Sequence, residues 1–376
     1  MADWIQQCPK VEESDSVSAD TLTDYLSSRS EPVVLRGLVK NWPVVRAAQS
    51  DADQENEQDG EQGNGEGGGQ DGEEYLRYLA KFAGKKALSS KEPLSSKDHI
   101  TVYRAPPEAQ GRIFYNEDFS GFNFQVANKP LSEVLLLLSG NKENADDQQA
   151  TYYVGSTLLQ RFLPGFLDEN SLPIAVENPL ISLWLGNRSR IAAHYDFPDN
   201  LACCIAGKRR FILFPPDQIA NLYVGPLDLT PSGQAISLVD FYQPDFQQFP
   251  RFAEAMKHAV VAELEPGDAL FIPSMWWHHV DSLSAINGLV NYWWRSTPAY
   301  LGNPTDALTH ALMSIKGLPK AQKQAWKELF DYYIFNDDES SASEHIPEPV
   351  RGVLQERLSE QQAISLRQRL LQKLNR

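Results

Sequence analysis

Between residues 152 and 294 the chain breaks into short apolar runs, at 181–185, 201–206, 211–214, 260–264, 269–272 and 288–294, separated by glycine, proline and polar residues. Runs this short, bounded by turn formers, predict buried strands of a sandwich or barrel. Gly207-Lys208, between two of the runs, predicts a tight hairpin, and Glu265-Pro266-Gly267-Asp268 predicts a turn. Elsewhere the spacing predicts a helix over 18–27, a strand over 32–36, a helix over 74–83, strands over 99–104 and 112–115, and a helix over 130–139. Past Pro298 it predicts helices over 305–316 and 320–335. A last helix starts at Ser359, where Ser359 and Gln362 have the spacing of a capping box. The expected fold is mainly β, with helices before and after the β core.

Composition changes this picture in one place. Of the net charge of −16, ten units fall within 51–74, a stretch with seven glycines and no lysine or arginine, leaving −6 for the rest. Such a segment cannot bury enough apolar surface to offset its ordering and is expected to be a disordered loop. The expected organisation is a lead-in helix and strand over 1–50, the acidic loop over 51–74, a β domain over 75–298 and a helical region over 299–376. The charge balance disfavours tight binding to a nucleic-acid backbone, which wants a basic patch. No apolar run nears the roughly 20 residues of a membrane span, and 1–10 lacks the basic-then-apolar pattern of a secretory signal. The expected address is the cytoplasm, with no membrane partner. Cys8 stands far from Cys203 and Cys204, whose side chains would face opposite sides of a strand, so no disulfide framework is expected.

The candidate chemistry lies at His194-Tyr195-Asp196. In an extended chain, residues two apart face the same side, so an imidazole and a carboxylate can converge on one point. One more histidine would complete the facial triad of two histidines and a carboxylate that holds iron and leaves coordination positions open. His278 and His279, after the predicted strand 269–272, are the candidates. They are adjacent, only one can easily face inward, and spacing does not choose between them. His-x-Asp alone is common by chance; its position at a strand end, with these histidines at another, raises its weight. His99, His258, His310 and His345 lack such surroundings and read as surface or structural residues.

Taken together and in this order, His194-Tyr195-Asp196, Asn200, Gly207-Lys208-Arg209-Arg210, Ile212-Leu213-Phe214-Pro215-Pro216-Asp217-Gln218, Gly267-Asp268, Trp276-Trp277-His278-His279 and Val290-Asn291-Tyr292-Trp293 resemble the JmjC and cupin-like hydroxylases. The resemblance is strongest to the asparaginyl hydroxylase that acts on hypoxia-inducible factor. It implies a double-stranded β-helix of the cupin or jelly-roll type, and hydroxylation of a C–H bond with Fe(II) and 2-oxoglutarate as cosubstrate. It puts the metal on His194, Asp196 and His278. It implies that Arg209, where relatives often carry lysine, anchors the distal carboxylate of 2-oxoglutarate, with Lys208 or Arg210 as alternates if the register slips. An arginine can hold a carboxylate bidentately. Tyr153, Asn200 and Asn291 match residues that meet the cosubstrate, and Tyr103 and Trp293 match substrate-side residues. Ile191 stands where close relatives often place a threonine, with Ser189 two residues earlier.

The resemblance further implies a protein or peptide substrate and pairing of the C-terminal helices in a homodimer. A tRNA base and a small molecule stay open as substrates. Two readings from other classes also remain: a metal cupin that uses no 2-oxoglutarate, and a binding module without turnover. Trp276, Trp277, Trp293 and Trp294 read either as a substrate wall or as core.

Overall fold

The computed structural model describes residues 3–18, 20–58, 72–83, 99–140, 150–336 and 342–375. The chain divides into two compact units, Met1–Trp294 and Arg295–Arg376. The first unit carries the β core. Its strands are β1 (Glu12–Ser14), β2 (Val33–Leu35), β3 (His99–Ala105), β4 (Arg112–Ile113), β5 (Gln125–Pro130), β6 (Thr151–Leu158), β7 (Leu180–Gly186), β8 (Ser189–Tyr195), β9 (Asp199–Ala206), β10 (Arg209–Phe214), β11 (Val260–Leu264), β12 (Ala269–Ile272), β13 (Trp277–Ser282) and β14 (Asn287–Trp294).

They form a nine-stranded sheet, ordered β1-β2-β12-β9-β14-β7-β6-β3-β5, and a five-stranded sheet, ordered β11-β10-β13-β8-β4. From β7 onward successive strands pass from one sheet to the other, β10 and β11 excepted. This back-and-forth winding is the double-stranded β-helix expected from the resemblance, a jelly-roll core of the cupin type. It corrects one local reading. Gly207-Lys208 carries the chain from β9 in the larger sheet to β10 in the smaller, rather than closing a hairpin between paired neighbours. Asn187-Arg188 likewise carries the chain from β7 to β8, which lie in different sheets.

Burial explains why several strands read as unbroken apolar runs. Leu201, Cys203 and Ile205 of β9 face a core shared with the helices, whereas Ala202 and Cys204 face the space between the sheets. Both sides are dry, and both cysteines are unpaired and fully buried. Each large apolar side chain so enclosed contributes roughly 1.5–3 kcal/mol.

Among the described residues, the first unit's α-helices of five or more residues are α1 (Asp3–Gln7), α2 (Leu22–Ser27), α3 (Pro43–Gln58), α4 (Glu73–Ala83) and α5 (Leu131–Leu138). Tyr75, Leu76, Tyr78, Leu79 and Phe82 bury one face of α4 in the helix-side core. Helix therefore covers both ends of the stretch 51–74 read as a loop. The backbone of α3 runs on to Gln58 through Ala52, Gln54, Glu55 and Glu57, residues of good helix propensity. Residues 59–71 of that expected loop lie outside the described residues.

The second unit contains α6 (Pro304–Ser314), α7 (Lys320–Tyr333) and α8 (Glu360–Leu374). The Asn303 side chain accepts from Thr305 N at the start of α6. The capping box of α8 is formed, with Gln362 N donating to Ser359 Oγ and Ser359 N donating to Gln362 Oε1. Neither α6 nor α7 buries a residue, and Leu308, Met313, Trp326 and Leu329 are exposed. No described helix is long and apolar enough to cross a membrane.

Candidate active site

β8 and β13 are neighbours in the smaller sheet, and His194 lies directly opposite His278. The next paired residues are Val280 and Ile191, so two steps along β13 match three along β8. This bulge turns Ile191 and His194 onto the same chamber, although a regular strand would send residues three apart to opposite faces. Asp196 follows the end of β8, and its carbonyl accepts from Met275 N at 2.9 Å, tying it to the segment before β13. The strand preceding His278 in sequence, β12, pairs instead with β9 and β2 in the larger sheet. It is β13, the strand that carries His278 itself, that lies beside β8.

His194, Asp196 and His278 each offer a ligand atom, and these atoms lie within 4.8 Å of one another. The two imidazole centroids are 4.4 Å apart, and His278 Nε2 is 3.5 Å from Asp196 Oδ2. Each histidine turns Nδ1 to the carbonyl two residues earlier, His194 to Ala192 O and His278 to Trp276 O, both at 3.0 Å. A carbonyl only accepts, so each Nδ1 carries a proton and Nε2 is the ring atom turned to the site. Burial lowers the His194 pKa to about 4, helped by the neighbouring His278, so the ring is neutral near pH 7. For Asp196 burial works upward, but hydrogen bonding and charge from His278, with His194, outweigh it and hold the carboxyl below its usual range. A neutral His194 imidazole and an ionised Asp196 carboxylate are protonation states that suit a divalent metal.

His279 points away. Its Nε2 meets Asp281 Oδ1 at 2.9 Å, and its ring lies 4.9 Å from Phe241. The tertiary structure thus brings His278, and not its neighbour, to His194 and Asp196.

Two spaces share His194 and Asp196 in their linings, and the inner one also reaches His278. The inner one, of 40 Å³, is lined by Tyr153, Asn200, Arg209, Asn291 and Trp293 together with the triad. Arg209 opens β10 and is only 4% exposed, and no ion pair joins it to a carboxylate among the described residues. Its neighbours are engaged elsewhere: Lys208 with Glu265 at 2.7 Å, and Arg210 with Glu263 at 2.9 Å. A buried cation without a counter-ion is costly. Burial lowers its pKa, and the ionisable groups that counter this are the thiol of Cys204 and the phenols of Tyr153 and Tyr75. Asn200 Oδ1, Arg209 Nε, Asn291 Nδ2 and Trp293 Nε1 are all buried without a hydrogen-bond partner among the described residues. Buried polar atoms are otherwise paired as a rule, so four around one small space mark a place for a polar ligand. Asn291 is held by its other end, Oδ1 accepting from Trp184 Nε1 at 2.7 Å.

The outer space, of 440 Å³, is walled by Tyr103, Tyr153, Trp184 and Trp293, with successive ring centroids 5.9, 6.1 and 5.7 Å apart. Tyr103 and Trp293 thus both line it. The other tryptophans proposed for a substrate wall pack elsewhere: Trp276 donates to Ser30 O, Trp277 sits in the core against Tyr195, and Trp294 stacks on Phe271. Trp184 and His99 are among the lining residues that escaped the sequence reading. Trp184 alternates with Ser182 in the run at 181–185, a period that could have marked its inward face. His99 opens β3 at the outer space, where no motif signals it. Ser189 lines neither space, so the apolar Ile191 is not replaced by it.

The family description "Cupin-like domain" matches residues 19–300. Among curated proteins, the chain is 33% identical over 141 residues to a protein of Arabidopsis thaliana named lysine-specific demethylase JMJ31, covering 37% of this chain and 24% of that one. It is 32% identical over 134 residues to the human HSPB1-associated protein 1, covering 35% and 27%. It is 32% identical over 149 residues to the Danio rerio tRNA wybutosine-synthesizing protein 5, covering 38% and 40%. The matches therefore span well under half the length of these relatives.

Proposed function

The chain belongs to the cupin-like domain family, and from that premise we propose that it is an Fe(II)- and 2-oxoglutarate-dependent oxygenase that hydroxylates a C–H bond. The observation that carries this reading is Arg209, a buried guanidinium without an ion-pair partner among the described residues, in the same small space as the His194, Asp196 and His278 triad. A metal cupin without a diacid cosubstrate has no use for that cation.

In this reading His194, Asp196 and His278 hold the metal by two Nε2 atoms and a carboxylate oxygen. When bound, iron with 2-oxoglutarate and oxygen supplies the oxidising chemistry. The protein supplies position and dryness. Arg209 receives the distal carboxylate, while Tyr153, Asn200 and the free end of Asn291 complete the polar lining. Ile191, Val280 and Leu289 form apolar walls that keep water from the reacting end. Tyr103, Trp184 and Trp293 then place the substrate in the outer space.

A protein side chain is the substrate we favour, in keeping with the resemblance to asparaginyl hydroxylases. Support comes from the net charge of −16, which repels a phosphate backbone, and from outer walls that carry no lysine or arginine among the described residues. The iron-loaded protein should convert 2-oxoglutarate to succinate slowly alone and faster with peptides. Acceleration by tRNA and not by peptides would move the substrate to RNA, and no succinate under any condition would sink the oxygenase reading. We place the protein in the cytoplasm, where three unpaired cysteines are at home. A second copy is proposed to cover the apolar side chains left exposed on α6 and α7; a monomer mass by sedimentation would refute that.

A further inference from the structure

Two connections cross between the sheets side by side at the end of the barrel that carries the triad. Residues 196–198 lead from β8 in the smaller sheet to β9 in the larger, and residues 273–276 lead from β12 in the larger to β13 in the smaller. Both flanks are paired. His194 lies opposite His278 and Tyr195 opposite Trp277 on one side, and Asn200 lies opposite Ile272 on the other. Asp196 sits between these flanks, one residue past the last rung of β8. Its carboxylate meets His278 Nε2 at 3.5 Å, longer than a good hydrogen bond, so its place is set chiefly by the backbone that carries it.

Two consecutive residues of the facing connection hold that backbone. Ser274 Oγ donates to Phe197 O at 2.5 Å, and Ser274 N donates to Asp199 Oδ1 at 2.9 Å. Met275 N donates to Asp196 O at 2.9 Å. Met275 does so from a left-handed backbone, with φ at 70°, which residues with a side chain rarely adopt. Such a conformation persists where the surroundings over-determine it, and three hydrogen bonds across one gap do so.

We propose that Ser274 is a positioning residue for Asp196, latching the 196–199 connection so that its carboxylate stays at metal-binding distance from His194 and His278. This rests on the reading of those three residues as metal ligands. Strand pairing could not supply the hold, because continuing the ladder past Tyr195 would keep the chain in the smaller sheet and away from β9. A serine suits the place. Its hydroxyl stands on a single carbon and can donate to a facing carbonyl where the ladder has stopped. It is also the one side chain among the three donors, so a substitution can remove it while both backbone contacts remain.

The test is calorimetric titration of Mn(II) into the metal-free full chain, with the absorption of bound Co(II) as a second readout, in wild type, Ser274→Ala and Ser274→Thr. Ser274→Ala is expected to raise the Mn(II) Kd roughly tenfold, the low end of the loss when a group that orients a metal ligand is removed. Its Co(II) absorption at saturation should differ from wild type, because the carboxylate is displaced. The thermal midpoint of the metal-free variant should fall by no more than roughly 4 °C. Ser274→Thr, which keeps the hydroxyl, should restore both metal readouts. A wild-type Mn(II) Kd and Co(II) spectrum in Ser274→Ala would overturn the proposal while leaving the three ligands standing, whatever its midpoint. Wild-type protein that binds no Mn(II) would overturn both.

Discussion

Replacing His278 by alanine should lower 2-oxoglutarate turnover by at least about a hundredfold, since even residues that only support a metal ligand cost 10–100-fold when lost. His279→Ala should behave differently, although it is the adjacent residue. His278 presents Nε2 to Asp196 at 3.5 Å and keeps its proton on Nδ1. His279 pairs with Asp281, a carboxylate whose side chain is 1% exposed. Removing the partner of a buried hydrogen-bonding group typically costs roughly 1–3 kcal/mol. His279→Ala should therefore unfold at lower denaturant while its folded fraction still binds iron. Metal analysis and urea titration on both variants separate the roles. If His278→Ala kept wild-type succinate production, the ligand assignment would be wrong.

Arg209→Met should weaken 2-oxoglutarate binding and yet not weaken the ligand-free protein. A hydrogen bond to a charged group contributes about 1.5–3 kcal/mol, or roughly 10- to 150-fold in affinity. The stability change should have the opposite sign. Arg209 is buried without a carboxylate among the described residues, and exchange of a buried charge for an apolar side chain of similar length is often neutral or stabilising by about 1–4 kcal/mol. The variant should melt no lower than wild type, and 2-oxoglutarate should no longer raise its midpoint. The chemical control is 2-oxobutyrate, which lacks the distal carboxylate. Wild type should bind it poorly, and Arg209→Met should hardly distinguish it from 2-oxoglutarate. A variant that destabilises the apo protein but binds 2-oxoglutarate normally would remove Arg209 from the anchor role.

Much of the site could be read in the chain because it depends on local periodicity. His194 and Asp196 are two apart at a strand end, and alternation alone lets them face one point. Ser359 and Gln362 announced a helix start through a hydrogen-bond exchange spanning three residues, and that exchange is present. The runs at 201–206 and 211–214 were legible as strands because both faces of each are dry. What failed was any inference that treated consecutive strands as neighbours. Gly207-Lys208 looks like a hairpin by composition, but it changes sheets, and composition does not encode which sheet receives the next strand.

The sequence by itself determined the β core, its flanking helices, and the pairing of an imidazole with a carboxylate at positions 194 and 196. Only the tertiary structure brought His278 against them and turned His279 into the core. It also left Arg209 without a counter-ion among the described residues, while Lys208 and Arg210 found theirs. The reason is physical. Alternation along a strand is set by covalent geometry and is visible in one chain segment, whereas a bulge in β8 and the hold of Ser274 on Phe197 exist only through contact between segments far apart in sequence. Ser274 is separated by 77 positions from Phe197, the residue whose carbonyl it reaches.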